Sequence, residues 1–164
     1  MTQSRFQTAL PWGLALFIAI VFIQSLFFKF TNSFETQFIF GTIGSWMGSI
    51  GLPAAVATNF AQYGGYTIGT LELIASGLLL TPKSQPFGAV LAFGVISGAI
   101  FFHLFTPLGV SVVINEAGDR DGGQLFALAV GVWISALVII WLRRQTFAAL
   151  LGNSSQASLR EKRA

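Results

Sequence analysis

The chain has 164 residues, of which 54% are hydrophobic and only 9% charged, and its net charge is +3. Average soluble domains carry roughly 25% charged residues, and so few charges cannot coat a folded chain against water. With no cysteine in the chain, disulfides, thiolate metal sites and cysteine redox relays are excluded.

The apolar residues fall into long runs, four of which approach the roughly 20 residues needed to cross about 30 Å of hydrocarbon. The first, Leu10–Phe30, reads LPWGLALFIAIVFIQSLFFKF. It is too long for the apolar region of a signal peptide, no A-x-A-like site follows, and Gln24 and Lys29 lie where cleavage would fall. It is therefore read as a retained span.

The connection that follows, 31–62, is long for a bundle loop. Asn32 and Glu35, three apart, have the spacing of a capping box. Phe34, Phe38, Ile39, Ile43, Trp46 and Met47 then form an apolar stripe at helical spacing. A short helix in the outer interface is expected, with Pro53 opening the next helix.

The second span is Gly64–Leu80, extended backwards by a less apolar stretch from Pro53. Within it Gly65, Gly69, Glu72 and Ser76 share one face, which should point inward. A turn at 81–86 leads to the third span, Phe87–Leu108. The loop NEAGDRDGGQ then leads to the fourth, Gln124–Leu142. Each span carries a small-xxx-small step that lets backbones approach: Ala15/Ala19, Gly65/Gly69, Gly94/Gly98 and Ala127/Gly131. The polar tail at 151–164 is expected to be disordered and cytoplasmic.

The distribution of basic residues fixes the expected orientation. Four crossings place the N-terminus, the 81–86 turn and the tail on one side, and that side holds seven of the nine basic residues. The reading is an all-α, four-transmembrane-helix bundle over 1–150, with both termini inside. The positive charge then serves topology and anionic headgroups of the lipid bilayer, with no nucleic acid partner.

Polar residues at bilayer depth are costly, so each needs a partner or a task. Counting ~1.5 Å per residue from the cytoplasmic helix ends puts Glu72 at about 12 Å, near the midplane, with Ser135 at about 10 Å and Ser97 at about 15 Å as its same-level partners. Without a cationic partner, a carboxyl at that depth holds its proton. Glu72 is either a neutral hydrogen-bonding link between helices or an acid that relays protons or anchors a ligand.

The same count puts Lys29 at about 28 Å, His103 at about 24 Å and Tyr66 at about 21 Å, close to the outer surface. A Lys29–Glu72 ion pair would have to bridge ~15 Å of depth, which argues against it and leaves Lys29 snorkelling to the outer headgroups. Lys29, Tyr66, His103 and Gln124 fall at depths that allow one outward-opening polar pocket. The loop carrying Asp119, Arg120 and Asp121 would close over it, and Gly122–Gly123 would let the chain turn. Gln24, Ser97, Ser135 and Asp121 are secondary candidates.

One histidine and no cysteine cannot supply bis-histidine haem ligation, an iron–sulfur cluster or an ordinary zinc site. No phosphate-cradling glycine loop, HExxH or nucleophile elbow is present. Any redox role must then use a bound quinone or partner subunits.

The segments SLFFKF, GTLELIASGLLL, GAIFFHLFTPLG and DGGQLFALAV, spread over 22–144, resemble the DoxX-like family of small bacterial membrane proteins. In that pattern Lys29 looks like the lysine closing the first helix and Glu72 like the glutamate of the second. Many members carry an arginine early in the first helix and a glycine shortly before the lysine. Here those neighbourhoods read Trp12-Gly13 and Ser25-Leu26-Phe27-Phe28, marking a divergent member.

The resemblance implies a bacterial inner-membrane protein that serves as an accessory or quinone-proximal subunit of a membrane oxidoreductase system. It would have oxidoreductase subunits as partners and no metal or covalent cofactor. Two alternatives stand beside it. One is a small-solute transporter or channel, working as a homo-oligomer with Glu72 in a proton-coupled path, and the other is a non-catalytic scaffold.

Overall fold

The computed structural model describes the backbone of residues 2–161 and the side chains of 9–146. Its described residues form five helices: α1 (Thr2–Phe30), α2 (Phe34–Ser49), α3 (Ala54–Leu79), α4 (Gln85–Phe105) and α5 (Gln124–Glu161). The only β pairing among them is an isolated bridge, Val113 to Arg120, in the loop before α5. The tail expected to be disordered, 151–164, lies outside the residues whose side chains are described.

Among the described residues, three stretches are long and apolar enough to cross a membrane: Ala9–Phe30, Gln85–Phe105 and Gln124–Thr146. At 26 residues α3 has the length, but Asn59, Gln62, Glu72 and its glycines and threonines dilute its apolar character.

The α1–α2 junction corrects the expected capping box. Asn32 takes φ of 50°, the left-handed region that asparagine tolerates better than most residues. Its N–H donates to the Lys29 carbonyl at 3.3 Å, and the Ser33 N–H donates to the Phe28 carbonyl at 3.1 Å. These two bonds close α1 as a Schellman motif. Asn32 is thus committed to ending α1, and Ser33 caps α2 instead, its hydroxyl accepting from the Thr36 N–H at 3.3 Å.

α2 folds back along the first half of α3. A Cβ on Gly44 would strike Ala57 and Ala61, and one on Gly64 or Gly65 would strike Phe40 or Thr36. Farther along α3, Gly69 faces Phe30 and Leu26 of α1. The face Gly65, Gly69, Glu72 and Ser76 is buried throughout.

At the other end of the bundle, the α3–α4 turn brings Gly88 against backbone. A Cβ there would lie 2.5 Å from the Leu79 nitrogen. The Arg143 Nε donates to Gln85 Oε1 at 2.8 Å, joining α5 to the start of α4. We call this the turn end, and the opposite one, with α2 and 106–123, the loop end.

The main core gathers Ala15, Ile18 and Phe22 of α1 with Ala75 and Leu79 of α3. Ala89, Ala92 and Ile96 of α4 and Ala129, Val132, Ala136 and Ile139 of α5 complete it. A second, smaller cluster of Ile43, Leu108 and Val112 sits at the loop end beneath α2.

Candidate functional site

Between the two clusters the helices leave a cavity of about 410 Å³. Its walls are mainly apolar, and its polar groups come from every helix: Gln24, Ser25 and Lys29 from α1, Glu35 and Thr36 from α2, Glu72 from α3 and His103 from α4. Asp121 and Gln124 complete the set at the start of α5. The exposed members of the lining, Gln24, Phe28, Ile114 and Gln124, mark where it opens, beside α1, the loop before α5 and the start of α5.

Its electrostatic centre is an ion pair. Lys29 Nζ lies 2.8 Å from Glu72 Oε2 and 3.1 Å from Oε1, and 3.0 Å from the Ser25 hydroxyl. The Ser25 Oγ also lies 2.7 Å from Glu72 Oε2 and 2.7 Å from the Phe22 carbonyl. Its single proton serves one of these acceptors at a time. The side chains of Lys29 and Glu72 are 16% and 5% exposed, so the pair is largely withdrawn from solvent.

This overturns the expectation that depth keeps Lys29 and Glu72 apart. The residue count assumed that Leu10 and Leu80 share a level, whereas Phe30, the last residue of α1, packs on Gly69. On the ruler those two residues differ by ~13 Å, so α1 and α3 are offset by about that much. The offset brings Lys29 down to Glu72 and leaves the first half of α3 beyond α1, where α2 packs on it.

Nor do Ser97 and Ser135 partner Glu72. The Ser97 hydroxyl donates to the Phe93 carbonyl and accepts from Trp133 Nε1, and Ser135 donates to the Gly131 carbonyl. Tyr66 is exposed, stacked on Phe30 with centroids 6.5 Å apart, and does not line the cavity.

His103 is buried, its Nδ1 2.7 Å from the Gly109 carbonyl and its ring edge-on to Phe126. Asp121 organises the loop that leads into α5. It accepts from the Val112, Gly123 and Leu125 N–H groups at 2.8, 3.0 and 2.9 Å. Burial pushes its carboxyl up, but these backbone donors and the Ser111 hydroxyl outweigh that and hold it below the ordinary range. Asp119 bonds Asn115 and Arg120 bonds the Ser111 carbonyl, so neither reaches the cavity.

Three polar cavity residues escape sequence reasoning: Ser25, Glu35 and Thr36. Ser25 sits one helical turn before Lys29, and that spacing is the signal that could have found it. Glu35 reads as a cap residue in the sequence, yet the fold turns it to the cavity. Its carboxyl is raised by burial and by nearby Asp121, with Lys29 opposing.

Among the described residues no group of three or more His, Asp or Glu is disposed to hold a metal ion. What the arrangement offers is an apolar chamber with a few convergent hydrogen-bonding groups, the usual form of a small-molecule site. No family model, curated protein or solved structure matches this chain.

Proposed function

We propose that the protein is a DoxX-like component of a bacterial inner-membrane oxidoreductase system, binding a lipid-soluble ligand of the quinone class in the loop-end cavity. In this reading α3 also crosses the bilayer, completing four spans, and α2 lies at the outer interface. Both termini are cytoplasmic. The Arg144 guanidinium over the Trp141 ring at 4.9 Å supports an interface at the turn end.

The observation that carries the proposal is the cavity itself. At about 410 Å³ it falls within the ~300–1,000 Å³ of ordinary ligand sites. Its mouth is flanked by Gln24 and Phe28, which lie inside the span-length stretch Ala9–Phe30. A ligand dissolved in the bilayer reaches such a mouth sideways, without passing through water. The Lys29–Glu72 pair and His103 then give a ring carrying oxygens its polar contacts.

Purification from native membranes in mild detergent, followed by lipid extraction, tests the proposal. The expected result is a quinone recovered with the protein, together with redox subunits. Recovery of a lone chain free of both would overturn it.

A further inference from the structure

Lys29 and His103 offer opposite hydrogen-bonding characters to one cavity. A carbonyl oxygen only accepts, so the 2.7 Å contact between His103 Nδ1 and Gly109 O fixes the proton on Nδ1. In the neutral ring, Nε2 then keeps its lone pair. Gly109 holds φ of 72°, a conformation that favours glycine, so the loop geometry sets the direction of that carbonyl.

The Nε2 atom has no protein partner among the described residues. It is also not a sealed, unsatisfied atom, since Gln85 Nε2 alone has that condition there. On a residue only 8% exposed that lines the cavity, an accessible Nε2 opens into that space. Lys29 has three ammonium protons. One serves Ser25 and one suffices for the two oxygens of Glu72, which leaves a third for a ligand acceptor.

We infer that the cavity selects the reduced, hydroxyl-bearing form of a quinone-class head group. The hydroquinone donates an O–H to His103 Nε2 while another oxygen accepts from Lys29. The oxidised quinone has only acceptors, so one of its carbonyls meets the imidazole lone pair. This is a preference in binding, with no electron transfer implied, and it rests on the quinone-class reading of the cavity. An unmade hydrogen bond at a buried polar group costs enough to separate the two forms by about 10–100-fold in Kd.

The test uses the full chain in lipid nanodiscs, held anaerobic at about pH 8, above the ordinary imidazole range. Decylbenzoquinone and decylbenzohydroquinone are titrated in parallel. The hydroquinone is expected to bind about 10–100-fold tighter. His103→Gln, whose amide can turn either a donor or an acceptor to the ligand, should bring that ratio close to one.

Because the chain has a single histidine, its ¹⁵N signals report on the site without any substitution. The unprotonated Nε2 resonance should move with hydroquinone and stay with quinone, which keeps the test open if His103→Gln fails to fold. Equal or reversed affinities in the native chain, or a preference that survives His103→Gln, overturn the inference while leaving the quinone-class site standing. No saturable binding of either compound overturns both.

Discussion

The two ends of the bundle solve opposite packing problems. At the turn end Ala15, Ala75, Ala89, Ala92 and Ala136 are fully buried, and the Gly88 backbone lies against that of α3. Small side chains there let the helix backbones approach closely. At the loop end large rings prop the helices apart. Phe60 meets Phe40 and Phe102 with centroids 5.6 and 5.8 Å away, and the cavity lies beside them. The buried charges sit in this propped half. Ionised groups need room for partners and a ligand, and a bundle closed on alanine gives neither.

The largest effect should come from splitting the ion pair. Lys29→Met leaves Glu72 buried and unpaired, and removing one partner of a buried pair costs roughly 3–5 kcal/mol. The double variant Lys29→Met/Glu72→Gln should recover most of that loss in thermal unfolding in detergent. If the single and double variants lose equally, the pair is not what holds the loop end together.

Two glycines on the same helix test the contrast directly. Gly88→Ala forces a Cβ onto the Leu79 backbone and should cost about 1–3 kcal/mol. Gly98 lines the cavity, and a Cβ there meets nothing within 4 Å. Gly98→Ala should therefore leave stability unchanged or raise it by about 0.5–1 kcal/mol through helix propensity. Equal losses at both sites would mean that the cavity is not open space.

Asp121→Ala removes the carboxylate that accepts from three backbone N–H groups before and at the start of α5, and should cost about 0.5–2 kcal/mol. Because its folded carboxyl is held below the ordinary aspartate range, its contribution is present in and above that range. It fades as acid takes the pH through the folded value. An acid unfolding profile of Asp121→Ala should therefore converge on that of the native chain at low pH.

The smallest effect is assigned to Glu35. Its folded carboxyl is raised above 4.5, so the folded state holds the proton more tightly and stability falls as pH climbs through the folded value. Glu35→Gln should stabilise the protein slightly at neutral pH and do nothing in acid. A loss of stability at neutral pH would show that the carboxylate has a favourable partner.

The sequence alone set the helical class, the three most apolar spans and the inward face of α3. Those follow from composition and from periods of 3.6 residues, which local chemistry dictates. Lys29, Glu72, His103, Gln124, Gln24 and Asp121 were legible as costly or oddly placed polar groups, and all line one cavity. Which of them touch was decided only in three dimensions. Hydropathy measures how long each helix is but not how far it slides against its neighbour. The seating of Phe30 on Gly69 fixes that slide, so it brought Lys29 to Glu72 and left Ser97, Ser135 and Tyr66 with other partners.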